Sequence, residues 1–182
     1  MPSGALAAEG AGLLTMFELK RLSTAAIPGA LAKAERYRLL NEPEEAQSIC
    51  EDVLGADPDN FEAVRVLILA LTDTFRNQEP NTVSRAQELV ARLPSEYERA
   101  YFAGLVAERR ARALLTRGGP GRALPAGDLL REAMRSFARA EAVKPADNDD
   151  ALLRWNACVR LFERHPELAE IDEERTAPLM LE

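Results

Sequence analysis

The stretch NEPEEAQSICEDVLGADPDN, residues Asn41–Asn60, decides the fold. Pro43 sits where a helix can begin, because the first turn has no use for its missing N–H. Glu44 and Glu45 follow, and carboxylates in a first turn are stabilised by the aligned amide dipoles. Ala46, Cys50 and Val53 then fall at i, i+4 and i+7, which is one face of a 3.6-residue helix. Asp57-Pro58 stops the run, since the residue before a proline is pushed out of the helical region. Asn60 is a good N-cap for whatever helix comes next.

The bracket recurs. Ala133, Phe137, Ala140 and Pro145 repeat the spacing of Ala46, Cys50, Val53 and Pro58, each 87 residues later, and Glu132 matches Glu45. A second run follows each proline: DNFEAVRVLILALTDTF after Pro58, and DNDDALLRWNACVRLFERH after Pro145 and Ala146. With one residue inserted, Ala63, Leu67 and Ala70 align with Ala151, Trp155 and Cys158. The unit is helix, short turn, helix, with alanines where two helices approach closely. A lone helical hairpin cannot bury its apolar face, so such units imply a stack with one continuous core.

The strings A-x3-C-x2-V-x4-P and A-x3-F-x2-A-x4-P, with Asn41 in the turn ahead of the first, resemble tetratricopeptide repeats. The likeness spans roughly residues 27–165 and implies an all-α helix-turn-helix array, an α-solenoid of about three to four repeats. The matching blocks lie about 19 residues further apart than two 34-residue periods. Two irregular insertions account for the excess: RNQEPNTVS (Arg76–Ser84) and TRGGPGRALPAGD (Thr116–Asp128). Helices are expected near 28–40, 43–56, 60–75, 82–93, 95–117, 127–143 and 149–164. Residues 1–26 form an arm with an amphipathic run, LLTMFELKRL, and 166–182 an acidic tail beside a polar cap.

Resemblance to the family also implies that the first helix of each repeat lines a concave groove for a peptide, helix or protein. Carrying the repeat register onto this chain places Leu31, Glu35 and Arg38 there, then Glu62, Arg65 and Leu69, then Glu98, Tyr101 and Leu105, and finally Leu153, Arg154 and Ala157. Members that clamp a C-terminal carboxylate use Lys, Asn and Arg on these faces. Leu31, Glu35 and Val66 occupy the corresponding places here, so that clamp is not expected. Trp155 and Phe137 are read as core.

Composition limits the rest. The 182 residues are 47% hydrophobic and 29% charged, with 5% aromatic, and they carry a formal charge of -7. That suits a globular chain and argues against nucleic acid as the main partner. Cys50 and Cys158 lie 108 residues apart with a single histidine, His165, so no zinc framework of Cys and His is expected. Buried reduced thiols are expected instead, in a cytoplasmic setting. The apolar run AGLLTMF is too short for a membrane helix, and no membrane partner is expected.

No catalytic motif and no cofactor motif is found. His165 beside Pro166 suits a helix end, and the glycines of Thr116–Asp128 lack the strand that precedes a phosphate loop. Charge is unevenly spread. Between 95 and 145 ten basic residues stand against six acids, while 27–60 and the segment from 163 onward are each net -5. Arg109, Arg110, Arg112, Arg117, Arg131 and Arg135 make the basic middle a candidate patch for an acidic partner, or for the acidic tail. The expected function is thus non-catalytic binding of a protein or peptide. Two alternatives remain open: a self-assembling chain, a homodimer for instance, with its groove filled by its own terminus, and a substrate-holding chaperone of the secretion type.

Overall fold

The computed structural model describes residues 18–77, 81–119 and 121–169. Seven α-helices run through them: α1 (Ile27–Leu39), α2 (Pro43–Ala56), α3 (Phe61–Asp73), α4 (Thr82–Arg92), α5 (Glu96–Arg117), α6 (Ala123–Ala142) and α7 (Asp150–Arg164). Short 3-10 turns precede α1, follow α3 and follow α7, and there is no strand among the described residues. Each helix packs on the next in sequence, and α1 also meets α3, α3 meets α5, and α5 meets α7.

The opening stretch explains how tightly the first hairpin closes. Asn41 adopts the left-handed conformation (φ 61°) just past α1. Its amide donates to the Arg38 carbonyl at 3.0 Å and that of Glu42 donates to Tyr37 at 2.9 Å. This is the reciprocal pair of bonds that satisfies a helix's last carbonyls, and asparagine tolerates the backbone it requires. Pro43 then opens α2. At the far end Asn60 caps α3, its side-chain oxygen accepting from the Ala63 amide at 3.0 Å. Ser95 does the same for α5, accepting from Glu98 at 3.1 Å.

The repeated positions form the core. Ala46, Cys50 and Val53 are fully buried, as are Ala133, Phe137 and Ala140, and Ala63, Leu67, Ala70, Ala151 and Cys158 are at most 1% exposed. Trp155 is half-buried against the same packing. The buried residues divide into one cluster spanning α1 to α5, one spanning α5 to α7, and a small one of Ile27, Leu31, Val53 and Ala63. α5 and α6 approach closely at one glycine. A Cβ at Gly104 of α5 would lie 2.6 Å from the Phe137 ring of α6, so only glycine lets that ring come this close to the α5 backbone.

Two boundaries differ from the sequence expectation. α6 begins at Ala123, so the loop after α5 is shorter than Thr116–Asp128. Pro125 lies in the first turn, where its missing N–H costs nothing. Gly127 does not break the helix but admits a neighbour: a Cβ there would stand 2.3 Å from the Leu168 carbonyl. Leu168 is itself fully buried, so the packed region runs past 165 to the turn Pro166–Ala169. The other insertion contributes a 3-10 turn at Phe75–Asn77, and α4 starts at Thr82. Of the run LLTMFELKRL, only residues 18–22 fall among the described ones; they are not helical, and Leu22 packs on the small cluster. Residues 1–17 and 170–182, which hold most of the expected arm and tail, lie outside the described residues.

Candidate ligand-binding cleft

The odd-numbered helices meet at a cleft of about 610 Å³. Five arginines line it: Arg38 from α1, Arg76 from the turn after α3, Arg109 and Arg112 from α5, and Arg154 from α7. Four of these five are held by two acids. Asp73 at the end of α3 accepts from Arg38 at 2.9 Å on one carboxylate oxygen and from Arg109 at 2.8 Å on the other. Glu108 of α5 accepts from Arg112 at 2.8 Å and lies 3.7 Å from Arg154. Each acid thus fixes two guanidiniums contributed by different turns or different helices.

The two triads differ in depth. Glu108 is fully buried, and its Oε2 has no hydrogen-bond partner despite the proximity of Arg154. The Arg112 and Arg154 side chains are 36% and 35% exposed, so the carboxylate lies beneath and the guanidiniums reach the cleft. A buried carboxylate is tolerable only when paired, so these arginines are also what allows Glu108 to be buried. Burial disfavours the Arg154 cation, but the Tyr101 hydroxyl and the Glu108 carboxylate outweigh it and hold the proton more firmly than usual. Tyr101 in turn stacks on Tyr97 with centroids 5.9 Å apart and packs on Phe102 and Phe137.

The expected groove residues divide. Arg38 and Arg154 line the cleft. Arg65 of α3 bridges to Glu98 of α5 at 2.6 Å. Burial tends to raise the Glu98 carboxyl, yet hydrogen bonds from Arg65 and Ser95 prevail and keep it below the usual carboxylate range. Glu35, Glu62 and Leu153 are exposed, whereas Leu69, Tyr101 and Ala157 are half-buried. Leu31 and Leu105 are 4% and 1% exposed and belong to the core, so neither is at the surface to touch a ligand. Both are apolar residues next to buried alanines, and packing claims them. Val66, likewise, is buried.

The basic residues do not form one patch. Arg109 and Arg112 face the cleft, while Arg110 and Arg117 line a separate shallow hollow beside Val83 and Leu129. Arg131 binds the turn after α7, donating to the Leu168 and Ala169 carbonyls at 3.1 and 3.0 Å, and lies over the Phe162 ring. Arg135 is exposed on α6. Sequence reasoning missed Asp73, Glu108 and Arg76. One signal was available for Asp73: it lies 35 residues after Arg38 and 36 before Arg109, close to the spacing of one repeat.

His165 caps the end of α7, its side-chain Nδ1 3.1 Å from Glu167 and its ring without another hydrogen-bond partner among the described residues. Among the described residues no group of His, Cys, Asp and Glu could hold a metal ion, and no helix is long and apolar enough to cross a membrane. Both cysteines are buried and free, and burial, the largest cause, pushes each thiol up to about 12. Raising the pKa of an acid favours its protonated form in the fold. The linked stability is therefore complete below pH 9 and is lost as pH rises from 9 towards 12. At pH 8 iodoacetamide should alkylate the native thiols about a thousandfold more slowly than those of the urea-unfolded chain. Intact mass would follow it, and comparable rates would contradict the burial.

No family model, curated protein or solved structure matches the chain. Its function therefore has to be argued from the cleft itself.

Proposed function

We propose that the chain is a non-catalytic binding module of the tetratricopeptide-repeat kind, which takes a protein or peptide partner on the face where α1, α3, α5 and α7 meet. The observation that carries this reading is the arginine-lined cleft, to which all four of those helices or their flanking turns contribute. Four of its five arginines are already held by Asp73 and Glu108, so a partner would not have to order them, and binding would lose little side-chain entropy. The repeat reading is supported by polar contacts one period apart: Arg38 to Asp73, Arg65 to Glu98 and Arg85 to Glu51, separated by 35, 33 and 34 residues. Two buried reduced thiols suit a cytoplasmic setting.

Self-assembly is the second reading. Leu39 and Leu40 at the end of α1 are 88% and 60% exposed, adjacent apolar residues that a second copy would cover. Both readings are tested together. The immobilised chain and an Arg76→Glu/Arg109→Glu variant are used to capture proteins from lysate, and light scattering gives the mass of the purified chain. One protein enriched by the parent and lost with the variant is the expected result. A monomer that enriches nothing would sink the binding reading, and a dimer with nothing enriched would favour assembly.

A further inference from the structure

We propose that the cleft is a binding site for a phosphate-class dianion, a phosphomonoester or pyrophosphate group, seated against Arg76, Arg109, Arg112 and Arg154. This deepens the reading above and rests on it for the choice of face. Charge is the first ground. Five guanidiniums line or enter the cleft against the carboxylates of Asp73, Glu108 and Glu44, leaving two positive charges in one volume of about 610 Å³. The chain as a whole is net -7, so this local excess runs against its overall charge. A phosphomonoester carries about -1.5 to -2 near neutrality, which balances that excess in a single group. One carboxylate would leave a charge unmatched.

Geometry is the second ground. Arg112 meets Glu108 through Nε, and Arg109 meets Asp73 through Nη1 alone, so most of their N–H groups are left over. Glu108 lies fully buried beneath Arg112 and Arg154, and a carboxylate behind a guanidinium leaves its outward edge to the cleft. Arg76 has no carboxylate partner among the described residues and is exposed at the cleft's rim. Planar guanidiniums arriving from three elements suit a tetrahedral oxyanion, whose oxygens accept from several forks at once. The cleft's size lies within the range that takes a small ligand or one phosphorylated side chain.

Isothermal titration with inorganic pyrophosphate, with a phosphoserine peptide and with glutarate tests this. The parent chain is compared with Arg76→Gln/Arg109→Gln and with Arg160→Gln, which removes an exposed charge elsewhere on α7. The double variant should fold, because Arg38 still holds Asp73 and the Glu108 triad is untouched; a thermal melt verifies it. Saturable binding of a phosphate probe is expected, weakened about tenfold or more by the double variant, unchanged by Arg160→Gln, and weakened by salt. Tighter binding of the phosphopeptide than of pyrophosphate would place the group on a partner protein, and the reverse order would make it a free metabolite. The proposal is overturned if no phosphate probe saturates, if glutarate binds equally well, or if Arg160→Gln weakens binding as much as the double variant does. A protein captured on this face but not displaced by pyrophosphate would also overturn it, while leaving the binding-module reading in place.

Discussion

Phe137→Ala is expected to lower the free energy of unfolding by about 3–5 kcal/mol, a large part of what a domain has. The ring is fully buried between α5 and α6, with Tyr101 6.0 Å away and one ring edge against Gly104. Truncation removes the largest fully buried side chain and leaves a cavity that two long helices, each tied at several other points, are poorly able to close. The reciprocal change tests the same contact from the other side. Gly104→Ala places a methyl 2.6–2.7 Å from two ring carbons and should cost about 1–3 kcal/mol through overpacking. Combined with Phe137→Leu, which withdraws those carbons, the alanine should become nearly harmless. Urea titration of the four chains gives the coupling. Strictly additive costs would mean that the two residues do not meet as described.

The second large effect concerns the buried carboxylate. An Arg112→Ala/Arg154→Ala chain leaves Glu108 fully buried with neither of its cations. Stranding a charge in this way costs about 3–5 kcal/mol. Glu108→Leu alone should be milder, because Arg112 and Arg154 are about a third exposed and can turn to water. The triple variant, apolar at all three places, should recover most of what the arginine pair loses. Denaturant melts at neutral pH decide it. If the triple variant is no more stable than the arginine double, the loss came from packing of the arginine stems and not from the stranded charge.

Much of the fold is legible because its signals are local. Pro43, Asn60 and Ser95 act within one helical turn, and the expected ranges 43–56 and 95–117 coincide with α2 and α5 to within a residue. Burial at Ala46, Cys50 and Val53 follows from a face that one helix defines on its own. α6 was placed too late because Pro125 and Gly127 look like breakers in isolation. Gly127 is explained only by Leu168, 41 residues away in the chain.

The cleft was legible only in part, for the same reason. Arg38 and Arg154 were placed through the repeat register, but the acids that position them were not. Glu108 sits in AGLVAERR, where it reads as an ordinary surface charge until α7 is laid across it. Leu31 and Leu105 were placed at the groove by register alone. Whether such a leucine faces a ligand or a neighbouring helix depends on the rotation of the helix about its axis. A shift of one residue turns it by about 100°.

α5 has a mechanical consequence. Its 22 residues make a rod of about 33 Å that forms part of the buried cluster on either side. Arrays of short repeats fray from their ends, one unit at a time, because each unit leans only on its neighbours. Here α5 is a common strut, and neither cluster can come apart without baring a face of it. The molecule should therefore melt as a single unit, and the amides of α5 should be among the last to exchange with solvent.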